Sequence, residues 1–394
     1  MGSTLFPATV IGSWPRTVEV QKAMREKRAG RMTDAEFQAV ADDAVIQCLR
    51  LQEEAGMDIV TDGEQRRDNY ISFVAEHLHN VKMLTVSELL EYIEDKASFE
   101  EILGTLDVPA FSLSNPAATG KISRKKPLAL NDYCFLKKHT DRKIKVTLPG
   151  PYLLTRSMWV EGLSIKAYPT KEDLAIDIVS VLREELEELI AEGVDFVQFD
   201  EPVLTELVFT QKNTNRTFMC GALTAKADAE EEIEFALGLM NSVMEGMRGR
   251  GTKFGVHVCR GNWSRDDSIL LKGPYFSLIP YLSRVDIDQL VLEFATPRAG
   301  EIEAIKDFAN VEIGFGVVNP RTDTVETTDE IVEKVNQLLK IVPADKIYLN
   351  PDCGFGTFAQ RPMNSEEIAV NKLKVMSKAA NLLREQFKSV RKSD

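Results

Sequence analysis

The chain has 394 residues, 44% of them hydrophobic and 28% charged, with a formal net charge of -13 at pH 7. Such a composition supports a large buried core and excludes a disordered chain, while the acidic balance and the lack of a long basic stripe argue against a nucleic-acid partner. No apolar run reaches the ~20 residues that cross a bilayer, and five cysteines without a leader-like N-terminus predict a reducing, cytoplasmic setting.

In chain order, the first expected strand covers residues 8–13 and stops at Trp14-Pro15, because proline gives a ladder no donor. A helix follows from the pattern Thr33-x-x-Glu36, with Phe37, Ala41, Ala44, Cys48 and Leu51 on one face and Gly56 as its stop. That face places Cys48 in the core. A second strand, 58–64, ends in the carboxylates Asp62 and Glu64. Residues 77–142 break the rhythm with a charged helix at 87–103 and a basic stretch at Lys121, Arg124, Lys125 and Lys126. They are expected to form an insertion over one end of a barrel, its basic cluster a solvated hairpin.

The third strand, 143–148, runs into Pro149-Gly150-Pro151. A helix then starts at Thr170, with Leu174, Ile178, Leu182, Leu186 and Ile190 as its stripe and Gly193 as its stop. A fourth strand at 194–200, a helix at 227–248 and strands at 254–258, 288–294, 311–317 and 346–350 complete the pattern. The helix between the last two strands opens with Thr327-x-x-Glu330. Eight strands alternating with amphipathic helices predict an α/β chain, a single (β/α)8 barrel over residues 1–394 with 77–142 inserted after strand two.

Chemistry gathers at the carboxyl ends of these strands, where a (β/α)8 barrel carries its active site. His257 and Cys259 are two apart and project from one face of their strand. Glu293 and Cys353 end two later strands. One nitrogen, two sulfurs and one oxygen suit tetrahedral zinc better than calcium, magnesium or copper. Ser13, Glu64 and Asp200 end three more strands. Cys134, Cys220, His77, His79 and His139 lie elsewhere and read as bystanders.

Together, Ile11-Gly12-Ser13, Gly63-Glu64, Pro149-Gly150-Pro151, Asp200-Glu201-Pro202, His257-Val258-Cys259, Glu293 and Asn350-Pro351-Asp352-Cys353-Gly354 resemble the C-terminal barrel of cobalamin-independent methionine synthases over nearly the whole chain. The resemblance implies a methyltransferase making methionine, with zinc on His257, Cys259, Glu293 and Cys353. It implies that Ile11, Gly12, Ser13, Glu64 and Asp200 hold homocysteine. Two thiolates and a carboxylate around zinc give a formal site charge of 2 - 3 = -1, which leaves an incoming thiol ionised and electron-rich.

Two departures bear on the methyl donor. The family's full enzyme has a second, N-terminal barrel that helps hold folate, and this sequence shows none. The family's acid His, in the loop after strand seven, falls on Arg321, and its pterin-stacking Trp falls on Ser157, with Trp159 two residues away. Arginine is too strong a base to protonate a leaving nitrogen, whereas methylcobalamin needs no such acid. The expected donor is therefore methylcobalamin or a methylated corrinoid protein. The alternatives are 5-methyltetrahydrofolate as donor, another thiol such as coenzyme M as acceptor, or a purely structural zinc.

Overall fold

A computed structural model describes residues 4–92, 114–209, 228–268, 270–308 and 311–390. Its strands, in chain order, are β1 (Ile59–Val60), β2 (Leu78–Thr85), β3 (Ser114–Arg124), β4 (Lys143–Pro149), β5 (Phe196–Asp200), β6 (Lys253–Val258), β7 (Gln289–Leu292), β8 (Glu312–Val318) and β9 (Ile347–Pro351). Seven of them form one parallel sheet in the order β1-β4-β5-β6-β7-β8-β9. Apolar side chains such as Val197, Phe254, Leu290 and Phe315 are fully buried along it, as expected where helices cover a parallel sheet.

The expected first strand is the point of difference. Only single parallel bridges form there, Ala8 to Leu349 of β9 and Thr9 to Ile59 of β1. These residues still link the two edges of the sheet, with Thr9 N donating to Leu349 O and Asp58 N to Ala8 O, both at 2.9 Å. From Val10 to Gly12 the backbone carbonyls bond to side chains instead of a ladder. Val10 O accepts from Lys145 Nζ, Ile11 O from Gln198 Nε2 at 3.2 Å and Gly12 O from Thr61 Oγ1 at 3.1 Å. The architecture is thus a curled seven-stranded parallel sheet with its edges tied at residues 8–9, rather than eight regular strands.

The helices start where their caps direct. Thr33, Thr170 and Thr327 each close a full capping box, on the helices Asp34–Glu54, Lys171–Ala191 and Thr328–Leu338, an N-cap being worth about 1 kcal/mol. Cys48 is buried, as its helix face implies. The helix expected at 227–248 is instead Ala229–Met244, because the Asp228 side chain accepts from Glu230 N and Glu231 N and sets its start.

β2 and β3 pair as an antiparallel hairpin outside the main sheet. Its basic stretch is not wholly solvated. Lys121, Lys125 and Lys126 are exposed, but the Arg124 guanidinium is buried against the helix Lys171–Ala191, pairing with Glu185 at 2.9 Å, Glu184 at 3.3 Å and Glu188. The acidic row on that helix is what draws it in. Of the helix expected at 87–103, residues 93–103 lie outside the described residues, and the part before them contains the short helix Val86–Leu89.

At the amino ends of the strands a repeated device ties the sheet together. Asp58, Asp195 and Asp288 each precede a strand and accept the backbone N–H of a residue on a neighbouring segment. The donors are Ala8 at 2.8 Å, Ile144 at 3.0 Å and Phe254 at 2.9 Å. The opposite, carboxyl ends carry the polar residues of the site.

Candidate functional site

β6 delivers His257 and, one residue past its end, Cys259; the loop after β9 delivers Cys353. Their ligand atoms lie within 4.8 Å of one another and all three residues are buried. The register of β5 against β6 pairs Asp200 with His257. Asp200 Oδ1 consequently sits 3.0 Å from His257 Nδ1, so Nε2, 3.3 Å from the Asp352 carbonyl oxygen, is the nitrogen a metal would take. Burial disfavours the imidazolium, yet the Asp200 hydrogen bond and the neighbouring Cys259 sulfur outweigh it and raise the His257 pKa to about 9.

The two thiols are split by their own contact. A hydrogen bond from Cys353 lowers the Cys259 pKa against the cost of burial, and the same bond, together with burial, holds the Cys353 proton tightly. A thiolate, a thiol and an imidazole at this spacing suit a soft divalent ion such as zinc, whose binding would release the remaining protons.

Glu293 is not part of that cluster. It follows β7 directly, and the last register pair, Val258 with Leu292, brings Cys259 and Glu293 out side by side. Its carboxylate is fully buried and turned onto arginines, with Arg298 at 2.9 Å, Arg321 at 3.4 Å and Arg260 at 3.9 Å. Arg321 also reaches Asp352 at 3.4 Å and Asp267 at 3.2 Å. The four ligands expected from the sequence therefore divide into three that converge and one held by cations.

Beside the cluster lies a pocket lined by Ile11, Ser13, Glu64, Asp200, His257, Cys259 and Cys353, with Tyr70, Trp263 and Phe358 as aromatic walls. Glu64 occupies it in an unusual conformation, with φ 54°, and Thr147 Oγ1 donates to its Oε1 at 3.1 Å. Its Oε2 is buried without a hydrogen-bond partner among the described residues, and the Arg16 guanidinium stands 3.9 Å away. Burial raises the Glu64 pKa, with Arg67 and Arg16 opposing. An ammonium group entering the pocket would satisfy that oxygen and reverse the cost. Gly12 is needed for this approach, since a Cβ there would lie 2.5 Å from Glu64 Oε1 and 2.8 Å from the Thr147 methyl.

Other expected residues fall elsewhere. Ser157 is buried and its carbonyl accepts from Asn115 Nδ2 at 2.5 Å. Trp159 donates Nε1 to Tyr168 O at 3.1 Å and packs against the core. Neither lines the pocket, so neither offers it a stacking ring. His77 and His139 bond through Nδ1 to the carbonyls of Pro127 and Phe135, Cys134 is half-buried outside the pocket, and Cys220 is outside the described residues. Sequence reasoning missed Arg298, Asp352 and Trp263. Asp352 lay within the Asn350–Gly354 motif, and Trp263 two residues after Gly261, whose φ of 100° brings the chain hard against the Trp263 ring.

A family profile described as cobalamin-independent synthase, catalytic domain, matches residues 6–382. A methionine synthase of Sulfurisphaera tokodaii is 29% identical over 387 residues, covering 98% of this chain and 94% of that protein. One of Thermococcus kodakarensis is 27% identical, covering 97% and 95%. Among solved structures, a B12-independent methionine synthase from Shewanella sp. W3-18-1 in complex with selenomethionine superposes with a TM-score of 0.74 at 25% identity, covering 98% of this chain and 99% of that one. The match to a cobalamin-independent family overturns the expectation of methylcobalamin or a corrinoid protein as donor. That expectation rested on the absent folate-holding barrel, the displaced stacking Trp and Arg321 standing where an acid belongs; Arg321 is engaged with Glu293, Asp352 and Asp267.

Proposed function

The chain belongs to the cobalamin-independent methionine synthase family, and from that premise we propose that this methyltransferase moves a methyl group from a 5-methyltetrahydrofolate-type donor to the thiol of homocysteine, forming methionine. The observation that carries the reading is one pocket in which three soft metal ligands face a carboxylate oxygen that has no hydrogen-bond partner among the described residues. The first set suits a thiol, the second an ammonium, and homocysteine carries both. The Shewanella relative was solved with selenomethionine, an analogue of the proposed product.

His257, Cys259 and Cys353 would hold zinc, which supplies a Lewis acid that keeps a substrate thiol ionised near neutral pH. The rest of the work falls to the chain's own side chains. Glu64 accepts the substrate ammonium through its open Oε2. Asp200 reaches the same pocket while its Oδ1 fixes the His257 ring. Ser13, at the pocket wall, serves the substrate carboxylate together with the backbone of residues 11–13. Tyr70, Trp263 and Phe358 shield the sulfur from water and give a planar donor its aromatic surface. Catalysis is then chiefly positioning, which holds the sulfur and the donor methyl in line. As the S–CH3 bond forms the N5–CH3 bond breaks, and N5 takes its proton through water, since Arg321 stays paired with Glu293 and Asp352.

The test is direct. The zinc-loaded protein should convert homocysteine and 5-methyltetrahydrofolate to methionine, and replacing homocysteine by coenzyme M should abolish turnover. Failure of the folate donor alongside turnover with methylcobalamin would refute the proposed donor.

A further inference from the structure

Two residues before Asp200 on β5, and so on the same face of the strand, stands Gln198. Both it and Lys145 of the neighbouring β4 are buried, and neither lines the pocket. The Gln198 amide can sit only one way round. Its Nε2 faces Ile11 O at 3.2 Å and Asp200 Oδ1 at 3.0 Å, both acceptors, so the NH2 belongs there. Its Oε1 then accepts from Lys145 Nζ at 3.0 Å, and the same ammonium donates to Val10 O. Lys145 forms no ion pair among the described residues. Burying an ammonium with no acid beside it is costly, and what this one holds is the amide that spans Ile11 and Asp200.

The two ends of that span belong to two walls of the pocket. Asp200 Oδ1 is met twice, by Gln198 Nε2 and by His257 Nδ1 at 3.0 Å, which leaves Oδ2 as the oxygen for a ligand. On the other side Ile11 O is tied down where the chain runs on to Ser13 at the pocket wall. The carbonyls of residues 10–12 join no ladder, so this segment depends on such side chains for its place.

We propose that Lys145 and Gln198 act as positioning residues that fix the spacing between the Ile11–Ser13 segment and Asp200, and so fit the site to a thiol carrying a carboxylate and an ammonium on one carbon. This rests on the homocysteine reading above and names two residues that select for its α-amino acid head group. The brace matters only to a ligand that uses both walls at once. 4-Mercaptobutyrate lacks the ammonium and 3-aminopropanethiol lacks the carboxylate, so each can shift to suit one wall.

Gln198→Met keeps the length of the side chain and removes the amide. It should weaken homocysteine binding to the zinc-loaded protein about tenfold by calorimetric titration, as loss of one hydrogen bond to a charged group predicts. Binding of either analogue, and zinc content, should be unchanged. Lys145→Met frees the amide without removing it. It should cost homocysteine a smaller factor, about threefold, and it carries the test if Gln198→Met does not fold. The double variant should lose no more than Gln198→Met alone, because both residues act through one amide.

Homocysteine binding that is unchanged, or that falls together with that of either analogue, overturns the inference while the homocysteine reading stands. Wild-type protein that binds homocysteine no more tightly than the two analogues refutes that reading as well. A loss confined to homocysteine establishes the brace.

Discussion

The two ends of the parallel sheet use the same residue types for opposite purposes. At the amino ends, Asp58, Asp195 and Asp288 each accept a backbone N–H from a neighbouring segment, and Asp58 and Asp288 are also met by Arg384 and Arg248. At the carboxyl ends, Glu64 keeps a buried oxygen without a hydrogen-bond partner among the described residues, and Glu293 is shared among guanidinium groups beside a cluster of metal ligands. A carboxylate whose oxygens are all matched by its own fold can only hold that fold together. One left unmatched in a pocket has capacity for a ligand.

The largest effects should come from breaking the carboxyl end. Cys259→Ser or Cys353→Ser replaces a thiolate ligand by a hydroxyl, and zinc should fall to a small fraction of one ion per chain by metal analysis. Full zinc occupancy in both variants would refute the site. Glu64→Gln should leave zinc in place and raise the homocysteine requirement roughly 10- to 150-fold, the equivalent of losing ~1.5–3 kcal/mol of charge-assisted hydrogen bonding. An unchanged requirement would mean that the ammonium is held elsewhere.

Breaking the amino end should give the reverse pattern. Asp288→Ala strands Phe254 N, a buried donor, and should lower unfolding stability by ~1–3 kcal/mol in denaturant titration. Zinc content and the homocysteine requirement of the folded fraction should be unaltered. A change in either would show that the two ends are coupled.

A pH-dependent effect concerns Lys145, whose Nζ bonds to Val10 O and to Gln198 Oε1 inside the sheet. Burial pushes its ammonium down to about 7, with Asp200 opposing, against ~10.4 in an unfolded chain. Between those values the unfolded chain binds the proton more than the native one, so this group's contribution makes stability rise with pH. The slope is at most ~1.4 kcal/mol per unit, and it flattens below pH 7, where both states are protonated. Lys145→Met should lack that rise, and parallel pH profiles for the two proteins would contradict the assignment.

Much of this was legible in the sequence, because strand ends and caps are written locally. The spacing of His257 and Cys259 on a strand, the Asn350–Gly354 motif and the boxes opened by Thr33 and Thr327 all formed where local chemistry put them. What escaped depends on long-range partners. The segment at 8–13 has strand-like residues, but its carbonyls bond to Lys145, Gln198 and Thr61, which no local pattern announces. Arg124 looked solvated until the acidic row of a later helix met it. The arginines around Glu293 lie on separate segments, so no local pattern announces them.

The central claim is that the carboxyl end receives the substrate sulfur at a metal held by His257, Cys259 and Cys353. X-ray absorption at the zinc edge of the loaded protein, before and after adding homocysteine, tests it most directly. The sulfur count around zinc should rise from two to three, the two coming from Cys259 and Cys353 and the third from the substrate, at the ~2.3 Å distance of a zinc–thiolate bond. A count that stays at two with homocysteine demonstrably bound would contradict the account.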